Sequence, residues 1–232
     1  MGGIVRRCRE VLQVTAPHRT VPTGEPHPAS GRSPMRAATL VFRIVLAGLA
    51  WWGLIDALGG DPAQLKYFSQ VTTLAVAVTA TLSVVVLATA LDATSPRWAA
   101  TVAWCRGAST TYAVVTAVIY QTLLSGDLSR TSSLLEHAVV PALAVIDWVV
   151  FGPGLRGRRQ VWWLPLTWLA LPIGYLGIYY NVRDRSGRAL YPFLNPDAGG
   201  RFWTWVGIML GVFAVVAFLV WAVGLLRARL RS

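Results

Sequence analysis

The chain is poor in charged side chains. Only 13% of its 232 residues are charged, whereas 55% are hydrophobic and 11 are tryptophan. Soluble domains average about 25% charged residues. Apolar runs of about 20 residues, which recur here, are long enough to cross a bilayer as helices. These proportions exclude an ordinary soluble domain and predict an integral membrane protein.

Cysteine and histidine are also scarce. The two cysteines, Cys8 and Cys105, match no metal-ligand spacing, and no disulfide between them is expected. Two of the three histidines, His18 and His27, lie near the N-terminus, which leaves His137 as the only histidine in the body of the chain. The sequence therefore predicts neither a metal site nor a cofactor.

The charge that is present is mainly basic, with a formal net charge of +11. Lys66 is the only lysine, and the arginines lie mostly in tails and connections rather than along one face. Basic flanks of membrane segments orient a chain in the bilayer. We therefore expect membrane lipids as partners and no binding of nucleic acid.

Six apolar segments follow a basic N-terminal tail, residues 1–36, which we expect to be disordered. The segments are residues 37–58, 67–91, 101–124, 134–151, 161–180 and 202–226, followed by a short basic tail at 227–232. Because open sheet edges cannot face lipid, the segments predict an all-α polytopic membrane protein, a bundle of six transmembrane helices. No internal repeat suggests the inverted halves of many transporters. Met35, directly before the first segment, is an alternative start of translation.

The distribution of arginine predicts the orientation of this bundle. The N-terminal tail, residues 92–100, residues 152–160 and the C-terminus carry most of the arginines. A further basic loop, residues 181–201, lies on the opposite side. Since cytoplasmic loops carry the excess of Lys and Arg, we expect a multi-pass protein of the cell membrane with both termini in the cytoplasm. The oligomeric state is left open.

Ionisable residues inside apolar segments are costly, so each needs a partner or a function. Arg43, Arg106 and Asp147 fall near the predicted cytoplasmic ends of the first, third and fourth segments. The third and fourth segments are joined by a short connection and should be antiparallel neighbours. We expect an Arg106–Asp147 ion pair, with Arg43 as a further member, that fixes helix packing. A catalytic role for Asp147 is the alternative.

A second polar set falls at the outer ends of the segments. Its members are Asp56, Ser69, Tyr120, His137 and Tyr191. His137 and Asp147 are ten residues apart, about 15 Å along a helix, so they belong to different sites. A hydroxyl beside an imidazole is the minimum for nucleophilic catalysis, and Glu136, Asp56, a tyrosine hydroxyl or a backbone carbonyl would orient the histidine. In the alternative interpretation, the histidine and the hydroxyls only form hydrogen bonds between helices or to their own backbone.

Several short motifs carry a resemblance over about residues 37–226. They are 66-KYFS-69, 106-RGASTTYAVVTAVIY-120, 137-HAVVP-141, 147-DW-148 and 191-YPFL-194. This set resembles a bacterial six-helix membrane family allied to the eukaryotic androgen-induced-gene and androgen-dependent TFPI-regulating proteins. Those proteins are intramembrane hydrolases of fatty-acid esters of hydroxy fatty acids. The resemblance places the threonine nucleophile of that family on Ser69 and its histidine on His137.

The resemblance implies an intramembrane hydrolase of lipid (fatty-acyl) esters. Thr72 and Thr73, one helical turn after Ser69, are alternative hydroxyls. The residues expected to bind the substrate are Thr72, Thr73, Tyr120, Glu136, Arg183 and Tyr191. Arg183, Arg185 or Arg188, in the basic outer loop, would hold a lipid carboxylate or phosphate near the nucleophile. In the alternative interpretation, these arginines only meet anionic lipid headgroups. A small transporter, which would need a polar path through the bundle, and a non-catalytic membrane protein remain the other hypotheses.

Overall fold

The computed structural model describes residues 34–124, 126–152, 161–182 and 187–230. Its six main helices are α1 (Pro34–Leu58), α2 (Phe68–Ala88), α3 (Pro96–Leu123), α4 (Thr131–Phe151), α5 (Leu164–Tyr179) and α6 (Gly200–Leu230). Shorter helical turns in the connections are Pro62–Lys66, Leu91–Thr94, Pro192–Leu194 and Pro196–Ala198. The described residues contain no β-strand, which confirms the all-α prediction.

Each predicted segment coincides with one helix, but several bounds differ from the prediction. The first helix begins at Pro34 rather than at residue 37, and α6 continues to Leu230 through most of the predicted basic tail. The fourth helix begins at Thr131, three residues before the predicted start. The rest of the predicted N-terminal tail, residues 1–33, lies outside the described residues.

Four helices, α1, α2, α4 and α6, are long and apolar enough to cross a membrane. Helices α3 and α5 do not meet this criterion of length and apolar character, each for a different reason. Helix α3 has 28 residues but carries many hydroxyl side chains. Helix α5 is shorter and starts with a 3₁₀ segment, Leu164–Leu169, which contains Pro165. The predicted number of six spans therefore stays a prediction.

Helix α3 packs against three other long helices, α2, α4 and α6. Its buried residues include Arg106, Ser109, Thr110, Thr111 and Thr116. Gly107 on this helix lies directly against the ring of Trp168, so that a side chain at this position would overlap the indole. Small and hydroxyl residues allow close helix contacts inside membrane proteins. The modest hydropathy of α3 follows from this central position.

Helix α4 contains two wider π-helical turns, Leu135–Val139 and Asp147–Phe151. The first turn holds Glu136 and His137 and ends two residues before Pro141. Proline lacks the N–H that would bond to the carbonyl oxygen of His137, and its ring crowds that carbonyl group. A π turn accommodates such a break in the helical ladder and is frequent at functional sites.

Candidate functional site

Asp147 accepts hydrogen bonds from two arginines at one end of the bundle. Arg106 Nη2 lies 2.6 Å from Asp147 Oδ2, and Arg43 Nε lies 3.0 Å from Asp147 Oδ1. Arg106 also donates to the main-chain carbonyl oxygens of Asp147 at 2.9 Å and of Gly152 at 2.5 Å. The structure thus brings Arg106 and Asp147 together, with Arg43 on the second carboxylate oxygen.

We call Arg43, Arg106 and Asp147 the inner cluster, after the predicted cytoplasmic ends of their segments; it connects α1, α3 and α4 in the interior of the bundle. The exposed fractions of Arg43, Arg106 and Asp147 are 7%, 5% and 5%. The cavity beside Arg106 and Asp147 measures about 10 Å³, which is the space of one water molecule. The cluster therefore joins three helices at a buried place with room for about one water molecule.

A much larger cavity, of about 390 Å³, opens near the other ends of these helices. Its size falls within the usual range of small-molecule sites, about 300–1,000 Å³. Apolar and aromatic side chains form much of its wall, among them Ile119, Leu176, Met209, Leu210 and Phe213. The polar residues that line it are Tyr67, Ser69, Gln70, Thr116, Tyr120, Arg130, Ser132, Ser133, Glu136, His137, Tyr175 and Tyr191. The cavity thus combines a wall suited to hydrocarbon with a set of polar groups.

Ser69 lies in the first turn of α2, two residues after the N-cap Tyr67. Its hydroxyl donates a hydrogen bond to Gln70 Oε1 at 2.8 Å. The first backbone N–H of α2, that of Phe68, donates to the hydroxyl oxygen of Tyr191 at 2.9 Å. Tyr191 therefore caps the helix that carries Ser69, and its burial raises the pKa of the Tyr191 phenol to about 12.

His137 stands on α4 with its ring stacked on that of Tyr120. The ring centroids are 3.6 Å apart and the planes are inclined by 18°. His137 Nδ1 lies 3.1 Å from the carbonyl oxygen of Ser133. Because a carbonyl oxygen only accepts, Nδ1 carries the proton in the neutral ring, which leaves Nε2 as the proton acceptor. A general base acting through Nε2 requires this tautomer.

Ser69 and His137 share the cavity, but no hydrogen bond joins them in the described part of the chain. The Ser69 hydroxyl is instead connected to Glu136, because Gln70 Nε2 donates to Glu136 Oε2 at 3.2 Å. Sequence reasoning missed Gln70 as a site residue. Gln70 could have been identified from its position directly after Ser69, as a second polar residue in the first turn of a predicted membrane helix.

The remaining predicted site residues divide into three groups. Tyr120, Glu136 and Tyr191 line the cavity with the candidate catalytic pair. Thr72 and Thr73 are not part of its wall: the Thr72 hydroxyl lies 3.2 Å from that of Thr116, and the Thr73 hydroxyl donates to the carbonyl oxygen of Ser69 at 3.0 Å. The first of these bonds joins α2 to α3, and the second lies within α2. Arg183 lies outside the described residues.

The described residues contain no group of three or more His, Cys, Asp or Glu side chains that could hold a metal ion. Cys105 is a free thiol on α3, and Cys8 lies outside the described residues. No protein-family model, curated protein or solved structure matches the chain. The functional assignment therefore depends on the geometry of the cavity.

Proposed function

We propose that the protein is a polytopic protein of the cell membrane in which all six helices cross the bilayer and both termini are cytoplasmic. At 1.5 Å per residue, the 28 residues of α3 extend about 42 Å, which exceeds the ~30 Å of hydrocarbon. Helix α5, with its 3₁₀ start, extends about 27 Å and nearly reaches that thickness. The length of these two helices supports six spans.

We further propose that the outer cavity binds a lipid and that the protein hydrolyses its fatty-acyl ester bond. The observation that carries this proposal is that Ser69 and His137 line the same cavity, whose wall is largely apolar. The acyl chain would lie against Leu176, Met209 and Leu210, which offer it an environment as apolar as the bilayer interior. The membrane lipids are thus the source of the substrate.

The reaction would proceed in two steps. Ser69 Oγ attacks the ester carbonyl carbon while its proton passes to His137 Nε2, and the C–O bond of the ester breaks as His137 returns this proton to the leaving alkoxide. Water then attacks the acyl-serine, gives one proton to His137, and releases the fatty acid. The proton on His137 returns to Ser69 Oγ, which restores the starting state.

A lipid-binding protein without catalysis is the second candidate. It is favoured by the observed hydrogen bond from the Ser69 hydroxyl to Gln70 Oε1 in place of one to His137. A transporter is disfavoured because an apolar layer separates the cavity from the inner charges. This layer includes Leu46, Val76, Ala113, Val140 and Ala144.

The test is ester hydrolysis by the protein purified in detergent, on fatty-acyl esters of graded chain length. We expect His137→Ala to lower kcat about 10²- to 10⁴-fold, the usual contribution of a general base, and Ser69→Ala to abolish acyl-enzyme formation. Ser132→Ala, which removes another hydroxyl from the same cavity wall, is the matched control and should leave hydrolysis unchanged.

Equal hydrolysis by wild type, S69A and H137A would exclude the proposed active site. An inert wild type that still binds a fluorescent fatty acid, with loss of binding on Leu210→Trp, would select the lipid-binding alternative.

A further inference from the structure

Three side chains at the polar end of the cavity form one chain of hydrogen bonds. Ser69 Oγ donates to Gln70 Oε1 at 2.8 Å, and Gln70 Nε2 donates to Glu136 Oε2 at 3.2 Å. Glu136 is only 4% exposed, whereas Ser69 and Gln70 are half-buried. The Gln70 amide thus lies between a buried carboxyl group and the candidate nucleophile.

The direction of these bonds follows from the chemistry of the groups. Glu136 Oε2 accepts from the NH₂ end of the Gln70 amide, which turns the amide oxygen toward Ser69. A serine hydroxyl has one proton, and a hydroxyl that donates to Gln70 Oε1 cannot donate to His137 at the same time. A hydrogen bond from Ser69 to His137 would therefore have to replace the bond to Gln70 Oε1.

We propose that Gln70, oriented by Glu136, is a positioning residue that keeps the Ser69 hydroxyl turned away from His137 until a lipid occupies the cavity. This inference rests on the proposed function, because it assigns a role relative to Ser69 as the nucleophile. When the substrate arrives, the Ser69 hydroxyl exchanges its bond to Gln70 Oε1 for one to His137 Nε2. The exchange replaces one hydrogen bond by another and leaves all charges unchanged.

The position of Gln70 suits this role. It follows Ser69 in the first turn of α2, and both side chains line the cavity that the lipid would enter. Ser69 and Gln70 lie in the first turn of the regular helix α2, and the Thr73 hydroxyl, one turn further, donates to the carbonyl oxygen of Ser69. A ligand that fills the cavity can therefore displace the Gln70 side chain while the backbone at Ser69 stays in place.

The test measures the rate at which an alkyl fluorophosphonate labels Ser69 in the lipid-free protein. In this reaction Ser69 Oγ bonds to phosphorus, the P–F bond breaks, fluoride leaves, and the hydroxyl proton passes to His137. Gln70→Met keeps the size of the side chain but removes both polar groups. We expect labelling to accelerate about 2- to 10-fold, the population shift that corresponds to a net hydrogen bond of about 0.5–1.5 kcal/mol. Gln121→Met, on an exposed position of α3 outside the cavity, is the matched control.

Glu136→Gln gives a second, independent readout. The introduced amide can donate to Gln70 Oε1, so the Gln70 amide can reverse and release the proton of Ser69. We therefore expect faster labelling in E136Q and no additional acceleration when the same change is made in the Q70M background. A merely structural role of Glu136 would lower labelling in both backgrounds.

The outcomes separate this inference from the proposed function. Faster labelling of Q70M, non-additivity with E136Q and no effect of Q121M would support the positioning role. If wild type is labelled and S69A is not, but Q70M is labelled at the wild-type rate or more slowly, the positioning role is wrong and the nucleophile stands. Absence of labelling in wild type, Q70M and E136Q alike would remove the nucleophile, and the positioning role with it.

Discussion

Replacement of Asp147 by asparagine tests the structural role of the inner cluster. Asparagine keeps the shape of the side chain but removes the negative charge that faces Arg43 and Arg106. Both carboxylate oxygens are in use, at 3.0 Å from Arg43 Nε and 2.6 Å from Arg106 Nη2. The side chains of all three residues are no more than 9% exposed, so water cannot take over the lost interactions.

The expected loss can be estimated from this geometry. Removal of one partner of a buried ion pair destabilises a protein by about 3–5 kcal/mol, because it leaves a buried charge without compensation. For a chain of 150–250 residues, each kcal/mol shifts the unfolding midpoint by about 2–4 °C. We therefore expect D147N to unfold about 6–20 °C below the wild type.

The assay is thermal unfolding of the purified protein in one detergent, followed by tryptophan fluorescence and by size-exclusion chromatography. The matched control is Asp92→Asn, which removes the carboxylate of the Arg36–Asp92 pair. That pair has a similar N–O distance of 2.9 Å, but its side chains are 29% and 34% exposed. A pair of this exposure contributes at most about 1 kcal/mol.

A double variant sharpens the test. In D147N/R43M an apolar side chain of similar length replaces one of the two guanidinium groups that D147N leaves without a carboxylate. We therefore expect D147N/R43M to unfold at a higher temperature than D147N. If D147N shifts the midpoint no more than D92N does, or if R43M adds a further loss in the D147N background, the structural role of the cluster is refuted.

Two further predictions concern the outer cavity. Leu210→Trp should fill part of the cavity and weaken the binding of a fluorescent fatty acid about 10-fold or more. Leu219→Trp, at an exposed position of the same helix, should leave this affinity unchanged. Equal affinity of L210W and wild type would contradict a lipid site in the cavity. Tyr191→Phe removes the hydroxyl that accepts from the backbone N–H of Phe68, and should lower the free energy of unfolding by about 1–3 kcal/mol. Tyr67→Phe, on a neighbouring ring of the cavity wall, is the control, and an equal loss in both variants would contradict the capping role.

The helices could be predicted from the sequence because each coincides with a run of apolar residues. Their environment could not be predicted in the same way. Lipid-facing and helix-facing positions are both apolar, and only the packing identifies α3 as the helix that contacts α2, α4 and α6. The start of α4 at Thr131 was not predicted because Ser132 and Ser133 precede the apolar run. Both serines lie in the first turn of the helix.

The two polar sites differ in how many of their contacts could be predicted from the sequence. The contact between Arg106 and Asp147 was accessible from helical rise and from the short connection of two neighbouring segments. The bond between Ser69 and Gln70 depends on side-chain torsions, which no spacing reveals. The cap on Phe68 comes from Tyr191, 123 residues further along the chain, so only the folded loop brings the two together.

Helices α3 and α4 contact each other at both polar sites. At the inner end Arg106 of α3 pairs with Asp147 of α4, and at the outer end Tyr120 of α3 stacks on His137 of α4. Between these contacts the buried positions of α4, Val140 and Ala144, are apolar and recur at the spacing of one helix face. Two contacts at opposite ends, with apolar packing between them, fix both the register and the rotation of α4 on α3. The inner ion pair, although too distant to take part in the chemistry at Ser69, therefore helps to set the orientation in which His137 faces the cavity.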